Sequence, residues 1–347
     1  MAVKIGIIGC GKITERASLP NLVNYGDKAE VKVLCDIIKS KAAEQAQAFK
    51  IEGVDIVTDW KDLVKRSDID AVFVNTPNYI HEEMAVGAAR AKKHILVEKP
   101  ITISNKAAKN MINAARKSGV IFMVEQTQRF DPVHRAAKKF IETGKLGKIN
   151  TIKGRIGHAG PEYWAGGNEG WFSEKSLSGG GAMVDIGIHI LDLLRWLGGK
   201  EVAEVCASIK TLEKPWAVDD NGSVLMRFEG GTFGQFEASW TTRPYEVMTW
   251  IYGEKGKIHT AVGTEKPVSV RLATVGEGKD PNNVLEDVYP PIGPGSGWEN
   301  AVHHFIDCVL GKEKPLVTGE EGARSMSVIL AAYESAKRGR WAKVRYV

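Results

Sequence analysis

Apolar residues follow two different rhythms along this chain of 347 residues. Up to about residue 126 they come in short, largely uncharged runs: Ile5 to Ile8, Val31 to Cys35, Ala71 to Val74, His94 to Val97 and Val120 to Val124. Each has the length of a strand buried on both faces. Between them lie more polar stretches that read as helices, namely Thr14 to Tyr25, Ser40 to Phe49, Asp59 to Lys65, His81 to Ala91 and Lys106 to Lys117. Strands separated by helices predict a parallel, doubly wound sheet with its ligand crevice beyond the carboxyl ends of the strands. From Asn150 the rhythm shortens to period two. Thr151 to His158, Val202 to Lys210, Ser223 to Phe228, Thr232 to Trp240, Val247 to Tyr252, Lys257 to Thr260 and Val268 to Ala273 are then strands of a mainly antiparallel, open sheet. Helices at Pro132 to Thr143, Ala182 to Leu197, Glu299 to Leu310 and Glu320 to Arg338 complete the pattern. The expected fold is α/β, with a nucleotide-type unit over 1–126 and an α+β unit over 127–347. Phe233, Trp240, Trp250 and Tyr252 are expected on the sheet face away from the helices, under a loop or in a subunit interface.

Composition narrows the function without naming it. Forty-seven basic and 42 acidic residues leave a net charge of +5 with no run of one sign. That gives neither the basic stripe of a nucleic-acid binder nor a membrane-surface signature. The four cysteines are far apart with no CxxC pair, as expected of reduced core thiols. No signal-type leader is recognised, and no run of about eighteen apolar residues is seen. A cytoplasmic protein is the expectation.

Chemistry enters at the first strand. Gly9 and Gly11, followed by Lys12, Ile13 and Thr14, form a turn between that strand and a helix, where backbone N–H groups and the helix start favour a pyrophosphate. Thr14 stands where a third glycine is usual, so this turn alone is a weak signal. Asp36 strengthens it, because a carboxylate ending the second strand is placed to bind adenosine ribose hydroxyls. NAD is therefore preferred, while NADP stays open because Lys39 and Lys41 can neutralise a 2′-phosphate. The later strands end in Asn75-Thr76-Pro77-Asn78, with His81 following, and in Glu98-Lys99-Pro100. All of these are expected at one crevice and count as cofactor-binding candidates.

These segments resemble the Gfo/Idh/MocA family of oxidoreductases, that of glucose–fructose oxidoreductase and inositol dehydrogenase. The resemblance continues through Gln126 to Pro132, Gly179 to His189 and Tyr252 to Gly256. It implies a Rossmann domain followed by an α+β domain, a homodimer or homotetramer joined through the open sheet face, and a cis Lys99–Pro100 bond. It also places Lys99 beside nicotinamide and substrate.

From Ala182 to Leu194 the only ionisable residues are Asp185, His189 and Asp192. Their spacings put them on one face of an otherwise apolar helix, and buried ionisable groups need partners or a wet cleft. Moving a hydride from a secondary alcohol leaves a proton to remove and alkoxide character to stabilise. His189 suits acid/base work, Lys99 suits the oxyanion, and Asp185 suits orientation and substrate binding. Asp192 could instead be a structural partner. A metal is not expected, for want of a third ligand at a recognisable spacing. Arg129, His158, Tyr163, Trp164 and Trp171 are candidates to line the substrate pocket beside Asp185 and His189.

The leading reading is an NAD-dependent oxidoreductase acting on a secondary hydroxyl or keto carbon of a cyclic polyol, sugar or sugar nucleotide. A glycosidase working by transient oxidation, and a non-catalytic NAD-binding sensor, are the competing readings.

Overall fold

The computed structural model describes residues 2–165, 170–276 and 278–347. Six strands, β1 (Val3–Ile8), β2 (Ala29–Cys35), β3 (Asp55–Val57), β4 (Ala71–Val74), β5 (His94–Val97) and β6 (Phe122–Val124), form a parallel sheet in the order β3-β2-β1-β4-β5-β6. Chain order reverses direction at β1, so the crevice opens beyond β1 and β4, where the glycine turn and the Asn75 segment both emerge. Helices cover both faces, which is why β4 is buried at every residue.

The second sheet has nine strands: β7 (Ile149–Gly157), β8 (Val202–Lys210), β9 (Asn221–Phe228), β10 (Phe233–Ser239), β11 (Glu246–Gly253), β12 (Gly256–Ala261), β13 (Val268–Ala273), β14 (Val284–Val288) and β15 (Ala342–Lys343). Their order is β14-β13-β12-β11-β7-β10-β9-β8-β15, and among these pairings only β7 with β10 is parallel. The expected sheet is present with strand limits shifted by a residue or two. β3, β14 and β15 were not expected. β14 carries no alternation of burial to announce it, since four of its five residues are exposed.

The inner face of this sheet packs on the central helix Ile188–Gly198, which is entered through a wide π-helical turn at Met183–Gly187. By composition the stretch Lys175–Gly198 is long and apolar enough to cross a membrane, contrary to the sequence expectation. However, 83% of its apolar window is buried inside the fold, as in a core helix. The chain then returns to the first sheet: Val124 N–H donates to Val317 O (2.9 Å), and helix Gly319–Arg338 packs there.

One aromatic lies on the other face from the one expected. Phe233 and Trp240 are seven residues apart, an odd spacing that places them on opposite faces of a strand. Phe233 is exposed with Tyr252 on the outer face, whereas Trp240 is fully buried on the inner one.

Candidate active site

The crevice between the two sheets has a volume of about 920 Å³. At its nucleotide end it is lined by Gly9, Gly11, Lys12, Ile13, Asp36, Asn75, Thr76, Pro77 and Asn78, and toward the second sheet by Glu98, Lys99, Trp164, Trp171 and Asp185. Fifteen or more residues of intervening chain separate most of these segments, and the strand ends bring them together.

The nucleotide end fits a dinucleotide. Gly9 has φ +95°, and a Cβ there would stand 2.4 Å from Asn75 O, so only glycine lets the turn press on the end of β4. A Cβ at Gly11 would meet nothing within 4 Å, leaving open the space a pyrophosphate would occupy. Asp36 accepts from Cys10 N–H (2.8 Å) and Ile38 N–H (2.8 Å), which aims its carboxylate while part of it stays accessible. Thr14, in the place of the third glycine, has a job of its own. Its hydroxyl donates to Gly9 O (2.6 Å) and accepts from Asn75 Nδ2 (2.8 Å), which also donates to Ser18 Oγ (2.8 Å). Asn75 therefore braces the turn as well as lining the crevice. Asn78 Nδ2 likewise donates to Ser178 O (2.7 Å), tying the crevice floor to the loop before the central helix. Gln45 escaped the sequence reading: its amide donates to Cys10 O (2.6 Å) and Gly11 O (3.2 Å), and its Oε1 is buried without a donor. No motif marks such a residue, because its partners lie 35 and 34 positions away.

His81 does not face the crevice. It is fully buried, with Nδ1 3.0 Å from Pro100 O and Nε2 2.8 Å from Thr76 O. Both ring nitrogens are thus used to pin the Asn75 loop to the Lys99 loop, and burial pushes its pKa down. Arg129 is also displaced from its expected role. Its guanidinium, 3% exposed, bonds Asp192 Oδ2 (2.6 Å) and Oδ1 (2.8 Å) and Glu321 Oε2 (2.8 Å), well inside the fold. Tyr163 is 68% exposed, with the Lys214 ammonium 5.7 Å from its ring centroid, and does not line the crevice.

The end of the crevice toward the second sheet is built around Asp185. Lys99 Nζ donates to Asp185 Oδ1 (2.7 Å) and to Asp185 O (2.8 Å), joining the end of β5 to the central helix. The Lys99–Pro100 bond is cis. Trp240 Nε1–H donates to Asp185 Oδ2 (3.0 Å), and His158 Nε2 lies 3.6 Å from the same oxygen. Gly160 N–H donates to His158 Nδ1 (2.9 Å), so the proton of a neutral His158 sits on Nε2, toward Asp185. Burial would raise the Asp185 carboxyl, but the Lys99 ammonium and then His158 outweigh it and hold it well below the usual carboxylate range.

His189 is next to this cluster and differs from every group in it. It is half-buried, its Nδ1 is sealed from solvent, and among the described residues no protein group bonds either ring nitrogen. Burial and then the Lys99 charge push its pKa down to about 3, against the pull of Asp185, so the ring is neutral. Asp192 does not join it. The wide turn at Met183–Gly187 changes the phase of the helix, and seven residues carry Asp192 about 10 Å further along the axis. There it pairs with Arg129 instead. Trp171 stacks on Phe172 (centroids 3.9 Å), and Trp164 meets the edge of Phe172 (5.2 Å), making an aromatic wall in the same crevice as Lys99.

Residues 3–126 match the oxidoreductase family profile with an NAD-binding Rossmann fold, and residues 134–259 match the GFO/IDH/MocA C-terminal domain. The chain belongs to the Gfo/Idh/MocA oxidoreductase family. It is 32% identical over 309 residues to 1,5-anhydro-D-fructose reductase of Ensifer adhaerens, covering 88% of this chain and 89% of the relative. It is 28% identical to scyllo-inositol 2-dehydrogenase (NAD(+)) of Bacillus subtilis strain 168, covering 97% and 95%. The solved structure of a levoglucosan dehydrogenase in complex with NADH superposes with a TM-score of 0.87 at 26% identity, covering all of both chains. The crevice that fits a dinucleotide is thus an NAD-binding Rossmann site, as the glycine turn and Asp36 implied.

Proposed function

We propose that the protein is an NAD-dependent dehydrogenase or reductase of a small, uncharged cyclic sugar or polyol, with Lys99, Asp185 and His189 as its reacting groups. The observation that carries the reading is the Lys99–Asp185 contact: it joins the strand-end lysine of the nucleotide crevice to the helix that bears an unbonded, neutral His189. Nicotinamide, when bound, supplies the hydride acceptor or donor. In the oxidising direction His189, unprotonated at neutral pH, takes the proton of the substrate hydroxyl. Lys99 donates to the same oxygen as negative charge gathers on it, an electrostatic contribution of about 3–4 kcal/mol. Asp185 holds Lys99 through Oδ1 and is itself held by Trp240 through Oδ2, so the lysine is aimed before substrate arrives. His158 would meet a neighbouring substrate hydroxyl. Reduction runs these roles in reverse, with the proton returned to the substrate oxygen through His189. Asp36 would bind the adenosine ribose, and the Gly9–Ile13 turn the pyrophosphate.

Charge favours a neutral substrate over a sugar nucleotide. Around the end of the crevice toward the second sheet several cations are already engaged: Lys99 with Asp185, Lys214 with Glu162, Arg243 with Glu213 and Arg129 with Asp192. The wall of Trp164, Trp171 and Phe172 suits the apolar face of a sugar ring. Two of the relatives, an anhydrosugar reductase and an inositol dehydrogenase, are named for neutral substrates, and a third, a dTDP-sugar reductase, is named for a sugar nucleotide. We expect a cytoplasmic homo-oligomer joined through the outer sheet face, where Phe233 and Tyr252 are exposed and Trp250 stacks on His259. Light scattering on the wild type and on Tyr252→Glu tests that face.

The deciding experiment follows NADH and NADPH formation at roughly micromolar enzyme with inositols, free and anhydro sugars, glycosides and UDP-sugars, at concentrations spanning the usual KM range. Turnover of a neutral ring with NAD supports the reading. Glycoside cleavage without net NADH, or turnover confined to UDP-sugars, contradicts it.

A further inference from the structure

Two carboxyl groups beneath Lys99 are unused by the chemistry above. Val97 and Val124 are partners in the parallel register of β5 and β6, and Glu98 and Glu125 are the residues that follow them. Glu125 N–H donates to Val97 O (2.9 Å), so both side chains leave the sheet from neighbouring strand ends and lie within hydrogen-bonding reach of each other. Glu98 is 7% exposed and Glu125 is not exposed at all. Glu98 Oε2 accepts from the backbone N–H of Lys99 (3.0 Å), whereas neither oxygen of Glu125 meets any N–H or O–H donor among the described residues.

Two ionised carboxylates cannot stay in that arrangement. Each would be desolvated, they would repel one another, and Glu125 would be a buried anion with no donor. A proton between them removes one charge and supplies the missing donor, giving a short, charge-assisted bond. We propose that Glu98 and Glu125 hold one proton in common through neutral and mildly alkaline pH, and that this bond is a positioning device keeping the Glu98 carboxylate on the Lys99 backbone N–H. The role given to the pair rests on the assignment of Lys99 made above, but the shared proton does not.

The surrounding charges agree with this. Glu98 faces the Lys99 ammonium, the Asp185 carboxylate and Glu125; Glu125 faces Glu98. Of the elements packed nearby, the His81 ring lies between the carbonyls of Thr76 and Pro100, and the cations Arg129 and Arg195 are matched by Asp192 of the central helix and Glu321 of helix Gly319–Arg338. Burial pushes Glu98 up to about 7 against the pull of Lys99, and burial followed by Glu98 pushes Glu125 well above the ordinary range. As a coupled pair they take a second proton near neutrality and keep the first one above it.

Infrared spectroscopy tests the proton directly. The wild-type protein at pH 8 is expected to show the carbonyl band of a buried, protonated carboxyl, shifted in heavy water and lost in Glu125→Gln, whose amide keeps a donor on Glu98 without a titrating proton. Absence of the band in the wild type, or its persistence in the variant, overturns the shared proton whatever the activity. The positioning role is read from the pH profile of kcat with the best neutral substrate. Glu125→Gln should keep turnover at pH 8 within about threefold while an ionisation near neutrality moves at least one pH unit to the acid side. Superimposable profiles would contradict that role.

Discussion

Two buried ionic clusters sit on the same central helix, and they differ in one respect. At its far end Asp192 accepts from Arg129 through both oxygens and from Ser325 Oγ (2.8 Å), while Arg195 bonds Glu201 and Ser325. Every described charge there has a charged or hydroxyl partner. At the near end Asp185 is as well satisfied, by Lys99 and Trp240, but the neighbouring His189 has no partner among the described residues. Burial and charge are common to both clusters, so neither marks a site. What separates them is a buried, polar, unsatisfied atom beside a satisfied one, since a folded chain leaves such a group unpaired only at a cost of about 1–3 kcal/mol.

Removing groups from the near cluster should therefore remove chemistry. Lys99→Ala and His189→Ala are each expected to lower kcat by about 10²–10⁴-fold while NAD binding, followed by calorimetry, stays within a few-fold of wild type. Normal turnover in either variant would strike that residue from the mechanism. The far cluster should answer in stability. Arg129→Ala leaves Asp192 buried without its cation, at a cost of about 3–5 kcal/mol in denaturant unfolding, with kcat of the folded fraction nearly unchanged. A kcat loss as large as that of Lys99→Ala would move Arg129 back into the pocket. Asp36→Ala, at the nucleotide end, should raise the Kd for NAD about 10- to 100-fold with kcat at saturation preserved.

The smallest effect is in pH. A histidine lowered from 6.5 to about 3 by folding binds its proton more tightly when unfolded, so its contribution to stability is present above 6.5 and lost as pH falls toward 3. Urea midpoints measured from pH 7 to pH 4 should fall less steeply for His189→Gln than for wild type. The acid pair has the opposite sign. Carboxyls raised by folding cost stability as pH climbs from 4.5 through 7, and Glu125→Gln should flatten that loss.

Much of this was legible in the chain because it depends on local pattern. The strand–turn–helix start and the polar strand ends announce themselves in sequence, and with them the parallel sheet and its crevice, while a helix carrying only three ionisable residues offers Asp185 and His189 as candidates. What was not legible depends on partners far away. Arg129 looks like a pocket residue until Asp192 and Glu321, 63 and 192 positions on, claim its guanidinium. His81 looks like a ligand until the carbonyls of Thr76 and Pro100 close on its ring. Trp240 reads as one of an outward aromatic set, but strand parity turns it inward to meet Asp185, 55 positions earlier. Glu125 gives no signal at all, since its meaning comes from the strand beside it.

One paired measurement bears on the comparison most directly: kcat and unfolding free energy for Asp185→Asn and Asp192→Asn, made side by side. Both substitutions neutralise a buried aspartate of the same helix at a cation it touches. We expect Asp185→Asn to lose kcat by about 100-fold with the smaller loss of stability, and Asp192→Asn to lose about 3–5 kcal/mol of stability while its folded fraction turns over normally. If the two variants lost activity and stability in the same proportion, the distinction between a saturated cluster and a reactive one would be wrong.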